Sequence, residues 1–494
     1  MRPLIDNNYL KVYTLIRISE KSNSMNETIA KIKSSKTVEI IQKILSSKYF
    51  PFVTAAVTLL SYYLGWDVVL FYYIAIAGIL MLLFLDDITP IISLFLFMSV
   101  SISLINTPSP TMGNSDYYHR PEIYIQIFTI VGLFIATAVF RLIMTVIKKK
   151  FTVSPLFYGL CAFAAALFIN GLFSENYNPK NLLYGLIMAA CFLGIFCVLK
   201  DNLKTGSASY ENIAYGFLAF SVLLVIELIV AYATTEGLFE NGIINRGKLI
   251  FGWGVYNTYG VFLVMCIPPV IFLSGKKKFG FVYTLYSFIL FVAVFFSCSR
   301  QAMVGAVLIY PFCIAALFVK GKNRIANACI LSAAAVAGII LIGIYHEYVF
   351  KFFEEIFNNI VVDGELNGSG RIHIWREALE NFKAFPISGK GFYVKFSYTA
   401  QSGLGFIPFM CHNTPLQLLS SCGIVGFGVY TVHRIQTVIS VFKNVTIERA
   451  FIATSILAML IISLFDNHLF NIFPTIIYAC LIAVLAAGEK KEKT

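Results

Sequence analysis

The sequence predicts an all-α polytopic membrane protein, and three observations carry that prediction. Of its 494 residues, 58% are hydrophobic and only 13% are charged, well below the charged share of a soluble domain, roughly 25%. Apolar runs of about 20 residues, the length a helix needs to cross a hydrocarbon core, recur from Pro51 to Ala487. The alternation of polar and apolar positions that a membrane β-barrel requires is absent.

Taken in order, residues 1–48 are mixed polar and basic, with Val38, Ile41 and Leu45 at helical spacing. They predict a cytoplasmic arm lying on anionic lipid, with partner docking as the alternative. No cleavable signal-peptide pattern stands there. Spans are expected at 51–65, 67–85, 88–104, 122–147, 153–173, 181–199, 211–232, 257–274, 279–297, 301–319, 325–345, 412–433, 450–466 and 468–487. That makes a bundle of about 12–14 membrane helices by the length rule. With the N-terminus inside, Lys148–Lys150, Lys200 with Lys204, Lys276–Lys278, Lys320 to Arg324, Arg434 to Arg449 and the tail lysines all fall on the cytoplasmic face. The positive-inside rule fixes that orientation. The other face collects 105–121, 174–180, 233–256, 298–300 and 346–411, and all three Trp (Trp66, Trp253, Trp375). The units are therefore the arm (1–48), an N-terminal bundle (49–345), a large extracytoplasmic loop (346–411), C-terminal helices (412–487) and a cytoplasmic tail (488–494) in the cytoplasmic membrane.

The formal charge of +12 sits in short loops, as membrane topology demands, and does not point to nucleic acid. Ten cysteines are scattered singly without a C-x-x-C pair, the pattern of small buried hydrophobes. No His, Cys or Asp cluster has metal-ligand spacing and no nucleotide fingerprint appears, so neither metal nor cofactor is expected. Glu227 is the clearest ionisable residue within a span and reads as a paired structural group, a functional role being the alternative. Asp86-Asp87 falls inside.

Four features mark the outer face. Arg246 stands in a Gly-rich segment, with Asn257 and Gly260 at the following span; free helix N–H groups and a guanidinium together suit an anion, an ordinary loop with Asn257 as N-cap being the alternative. Arg300, in the short turn Ser297-Cys298-Ser299-Arg300-Gln301, would meet either a lipid-linked phosphate or lipid headgroups. From Ser369 to Phe385, Ile372, Trp375, Leu379 and Phe382 fall on one helical face, and Arg371, His373, Arg376, Glu377 and Glu380 on the other. Such a helix lies along the interface. Pro386 ends it, and Gly389-Lys390-Gly391 forms a permissive turn whose backbone could approach a phosphate. Finally, His412-Asn413 opens a span, where a neutral imidazole could accept a proton or orient a hydroxyl. Arginines on an outer face, without metal or nucleotide, favour a lipid-borne diphosphate as leaving group.

These residues resemble the bacterial O-antigen ligase and O-antigen polymerase family of membrane glycosyltransferases. The likeness covers the hydrophobic plan of most of the chain. It is sharpest at Arg246 with Asn257 and Gly260, at Ser297 to Arg300, at Ser369-Gly370-Arg371 through Gly391, and at His412-Asn413 through Gly426. The resemblance implies a GT-C-like helical bundle that moves a glycan from undecaprenyl diphosphate to a glycan or lipid acceptor, with inversion and without a metal. By that likeness Arg246, Arg300 and Arg371 hold the diphosphate and His412 activates the acceptor. Asn257, Trp375 and Asn413 shape the site, and Asp466 shares the base role or orients an arginine. Beyond the likeness, Arg376 and Lys390 add cations near the same place, and Gly389 and Gly391 supply the turn that could approach the phosphate. Asn257 lacks the preceding Pro common in the family. A ligase is the leading expectation, a polymerase the alternative, and a lipid-linked glycan flippase the different-class reading.

Overall fold

The structure, a computed structural model, describes residues 35–106, 121–148, 150–172, 179–240, 243–245, 248–251, 254–357, 361–362, 365–366, 371–394, 396 and 410–488. Arg246, Trp253, Ser369, Gly370 and most of the expected N-terminal arm lie outside these residues.

The chain begins with α1 (Lys36–Leu45), capped by the Ser35 hydroxyl. It meets α2 (Phe50–Leu64) at a 76° bend, so the end of the basic arm turns sharply away from the first membrane helix. After α3 (Asp67–Phe84) and α4 (Ile91–Asn106) come α5 (Pro121–Ile147), α6 (Pro155–Leu172) and α7 (Pro179–Ala189). The last of these continues through a π turn (Ala190–Gly194) into α8 (Ile195–Leu199). Next is α9 (Ser207–Thr234). The outer loop after it, expected without regular structure, holds two tight antiparallel ladders, Phe239–Glu240 with Ile243–Ile244 and Ile250–Phe251 with Gly254–Val255.

The bundle then continues with α10 (Tyr256–Lys276), α11 (Gly280–Phe296), α12 (Arg300–Lys320) and α13 (Arg324–Ile344). Next follow α14 (His346–Phe357), a third small ladder (Val361–Val362 with Glu365–Leu366) and α15 (Arg371–Ala384). The chain returns through α16 (Thr414–Lys443), α17 (Ile447–Ile462) and α18 (Ile472–Gly488). By length and composition, seven spans among the described residues can cross a membrane, or up to eight if the bent α1–α2 pair is one. Four further apolar helices are shorter.

Two helices form the centre. α10 is almost wholly enclosed, and every residue of α18 from Pro474 to Gly488 is buried. Around them pack α9, α11, α12 and α17 on one side and α4 and α8 on the other. The bundle has two distinct ends. At one, Lys276 pairs with Glu448 at 2.6 Å, Lys277 with Glu211, and Arg449 donates to the Leu485 carbonyl at 2.8 Å. These are the basic loops that the charge pattern places inside. The other end gathers the starts of α10, α12, α15 and α16 with the turn between α17 and α18.

Two expectations need correction. Helix α16 begins at Thr414 and runs to Lys443, with a break at Gly423 (φ 62°). Arg434, expected in a cytoplasmic loop, therefore lies inside this helix. Its guanidinium sits 4.4 Å from the Tyr430 ring centre and 4.5 Å from that of Tyr478, a cation–π sandwich that stands in for an acidic partner. No carboxylate pairs with it among the described residues. On α15 the buried positions are Ile374 and Ala378, while Leu379 is 42% exposed. The apolar face is rotated from the expected one because α15 packs on α16 rather than lying free on lipid. Glu227 is buried, and its Oε1 has no hydrogen-bond partner among the described residues.

Candidate active site

Five segments far apart in the sequence meet at the end of the bundle opposite the basic loops, and local chemistry explains how each arrives. Gly260 makes a close approach: a Cβ there would stand 2.6 Å from Ala302 Cβ and 2.9 Å from Ser299 Cβ. Only the missing side chain lets the starts of α10 and α12 touch. Ser299 Oγ then donates to Asn257 Oδ1 at 3.2 Å. The turn before α12 is not a passive exposed one: Ser297, Cys298 and Ser299 are fully buried, and Cys298 takes φ 57°. Arg300 follows as the first residue of α12, half-buried, with Gln301 beside it.

The start of α16 is clamped onto the turn between α17 and α18. Asn413 caps the helix through Leu416 N–H at 2.9 Å, and its amide donates to the Leu464 carbonyl at 2.9 Å. Thr414 N–H donates to the Ser463 carbonyl at 2.9 Å and its hydroxyl to the Asp466 carbonyl at 3.3 Å. His412 precedes this clamp with φ 54°. A left-handed conformation costs a non-glycine residue about 1–2 kcal/mol, and backbone strain of this kind clusters at functional sites.

Asp466 is the hub. Its Oδ1 lies 2.9 Å from His412 Nδ1 and accepts the Asn467 N–H at 2.8 Å. Its Oδ2 accepts from Gln301 Nε2 at 3.2 Å and Asn257 Nδ2 at 3.4 Å, and lies 3.9 Å from Arg371 Nη2 and 4.0 Å from His468 Nε2. Burial pushes the Asp466 carboxyl up, but the His412 hydrogen bond and the nearby Arg371 guanidinium outweigh it. The net effect holds the group below the ordinary carboxylate range. A carboxylate can only accept, so His412 must carry its proton on Nδ1, and a neutral imidazole then offers Nε2 as an acceptor. The His412 side chain is 37% exposed, enough for a substrate hydroxyl to reach it.

Arg371 and His412 stand at opposite ends of the outer loop, and Asp466 brings them together. Arg371 Nη1 also donates to the Phe465 carbonyl. Trp375 donates its indole N–H to the Cys411 carbonyl at 2.9 Å, which ties α15 to the backbone just before His412. Arg376 is exposed on α15 and is not part of the hub. The N–H groups of Gly389, Lys390 and Gly391, expected to face a phosphate, point elsewhere. They donate to the carbonyls of Phe385, Ser420 and Ser421 at 3.0, 2.8 and 3.1 Å. A Cβ on Gly389 (φ 69°) would stand 2.3 Å from the Ser421 carbonyl carbon, so this turn braces the break in α16.

Sequence reasoning did not single out Gln301, Asn467 or His468. A polar amide in the first turn of an apolar helix is the signal that points to Gln301. Among the described residues, no three His, Cys, Asp or Glu side chains converge as metal ligands would.

Residues 285–431 match a family model described as O-antigen ligase. That segment runs from within α11 through most of α16 and holds Arg300, Arg371, Trp375, His412 and Asn413, while Asn257 and Asp466 lie outside it. The match supports assignment to the O-antigen ligase and polymerase family. No curated protein matches the chain.

Proposed function

We propose that this chain, whose 285–431 segment matches a family model described as O-antigen ligase, is a membrane glycosyltransferase of the ligase kind. It would move a glycan from undecaprenyl diphosphate to a glycan or lipid acceptor on the outer face of the cytoplasmic membrane. The observation that carries this reading is the 2.9 Å contact of His412 Nδ1 with Asp466, beside an arginine that reaches the same carboxylate.

Arg300 and Arg371, with Arg246 from the preceding outer loop, receive the diphosphate, whose growing charge guanidinium groups stabilise bidentately. An acceptor hydroxyl donates to His412 Nε2. Its oxygen attacks the anomeric carbon from the face opposite the diphosphate. The new C–O bond forms as the anomeric C–O bond to phosphate breaks, the hydroxyl proton passes to His412 Nε2, and undecaprenyl diphosphate leaves. Configuration inverts. Asp466 stabilises the imidazolium without taking the proton. Asn413 and Trp375 serve indirectly, by fixing the backbone on either side of His412. Arg376 is an additional outer cation for the donor's phosphates, and the Gly389–Gly391 turn contributes by holding the outer loop against α16.

The test is transfer by His412→Ala and Arg300→Ala, each in cells that display the glycan. Each should lower transfer by at least about 10²-fold, the usual weight of a general base, with lipid-linked glycan accumulating on the outer leaflet. Parental transfer by His412→Ala would remove the base assignment. Accumulation on the inner leaflet would identify a flippase instead. Product analysis separates the acceptors: glycan joined to a different molecule marks a ligase, and a lengthening ladder of one repeat marks a polymerase.

A further inference from the structure

Behind the His412–Asp466 pair lies a second, fully enclosed polar layer that the transfer chemistry does not itself require. Gln301 is 4% exposed and His468 is 1% exposed. Gln301 Nε2 stands 3.2 Å from Asp466 Oδ2 and 3.0 Å from His468 Nε2. Rotating the amide would set its oxygen against a carboxylate, so the nitrogen must be the atom that faces Asp466. Both amide hydrogens are then committed, one to each neighbour. His468 Nε2 consequently accepts, which fixes this imidazole as neutral with its proton on Nδ1. That Nδ1 and Gln301 Oε1 are buried without partners among the described residues, so the layer is held from the Asp466 side alone.

We infer that Gln301 is a positioning residue that holds Asp466 Oδ2, turning Oδ1 toward His412, and keeps His468 from competing for the same carboxylate. This rests on the base role given to His412. The charged and titratable groups around Asp466 are His412 before α16, Arg371 on α15, His468 and Cys411. Of these, His468 is the rival. At 4.0 Å from Oδ2, it would pair with Asp466 once protonated. Burial and the neighbouring Arg371 guanidinium disfavour that protonation, against the pull of Asp466. Removing Gln301 frees the accepting nitrogen of His468 to take a proton. Gln301 also follows Arg300 directly, so one helix start presents a cation to the donor and an amide to the acid behind the base.

The test uses the full-length protein in detergent or nanodiscs, with lipid-linked glycan donor and acceptor, and follows kcat and KM against pH. Gln301→Leu should lower kcat at least about tenfold through misplacement of the base, leave donor KM within about threefold, and move the acid limb of the profile to higher pH. In Gln301→Leu/His468→Leu the acid limb should return to the parental position while kcat stays low. Gln301→Glu preserves shape and sets two carboxylates side by side, which hold one proton between them. Its transfer should fall as pH rises and that proton leaves. Parental kcat and pH dependence in both single variants would overturn the inference, as would a loss of kcat with an unmoved acid limb, which marks packing alone. If His412→Ala also transfers normally, the base assignment itself fails. If only the Gln301 variants are silent, the fault lies with this inference alone.

Discussion

Asp466 shows how much one side chain can organise without touching substrate. Its two oxygens receive an imidazole, a backbone N–H and two side-chain amides, and lie near a guanidinium. Asp466→Asn keeps the volume but replaces an acceptor with a donor facing His412, which sets the wrong imidazole nitrogen toward the acceptor. Transfer should fall by about 10²-fold or more, measured as initial rate on purified protein with inserted amount held equal. The pH sense follows from the direction of its shift. A carboxyl whose folded-state pKa lies below its unfolded value contributes stability that is present above the ordinary range and lost as pH falls through the folded value. The difference in Tm between parent and Asp466→Asn should therefore persist at neutral pH and shrink only below about pH 4. A difference that vanishes between pH 7 and 5 would contradict the depressed pKa.

At the scale of elements, the break in α16 decides where the outer loop sits. Gly423 has φ 62°, and a Cβ there would stand 2.2 Å from the Ile387 carbonyl oxygen. Ile424 N–H donates to the Pro386 carbonyl at 2.8 Å, and Asn170 donates to the Ser388 carbonyl at 2.6 Å. Gly423→Ala should cost at least about 1–3 kcal/mol, read as a lower Tm in detergent, and should reduce transfer without altering residues of the hub. An unchanged Tm would mean that the break is not a required conformation. None of this was legible in the sequence, because Cys422-Gly423-Ile424-Val425-Gly426 reads as an uninterrupted apolar helix with small residues. The hub divides in the same way. Arg371, His412 and Asn413 were legible because charged and capping residues are conspicuous beside apolar spans. Gln301 and His468 were not, because their importance comes from neighbours more than a hundred positions away. The Gly389–Gly391 turn misled for a physical reason: a glycine with positive φ is as well suited to carbonyl packing as to phosphate binding.

For the whole molecule, the spans and their polarity were legible from hydropathy and lysine placement, while the centre was not. Nothing in composition distinguishes α18, which is enclosed from Pro474 onward, from α13, which is largely exposed. Orientation has a direct check. Lys322 lies at the basic end and Glu380 on exposed α15, near the opposite end. A membrane-impermeant maleimide added to spheroplasts should label Glu380→Cys, and should label Lys322→Cys only after permeabilisation. The reverse pattern would invert the topology and move the hub to the cytoplasmic side.

The Arg434 sandwich carries a consequence for biogenesis. Helix α16 is the least apolar of the seven candidate spans, contains a break, and carries a cation that the Tyr430 and Tyr478 rings flank. Tyr478 belongs to α18, which the ribosome delivers later. Until then α16, with its low hydropathy, its break and an arginine short of one flanking ring, is a poor guest of the lipid phase. The last helix is thus a late-arriving chaperone for an earlier one. A chain terminated before Ile472 should leave α16 incompletely inserted and open to protease, whereas Tyr478→Phe, which retains the ring, should insert nearly as the parent does.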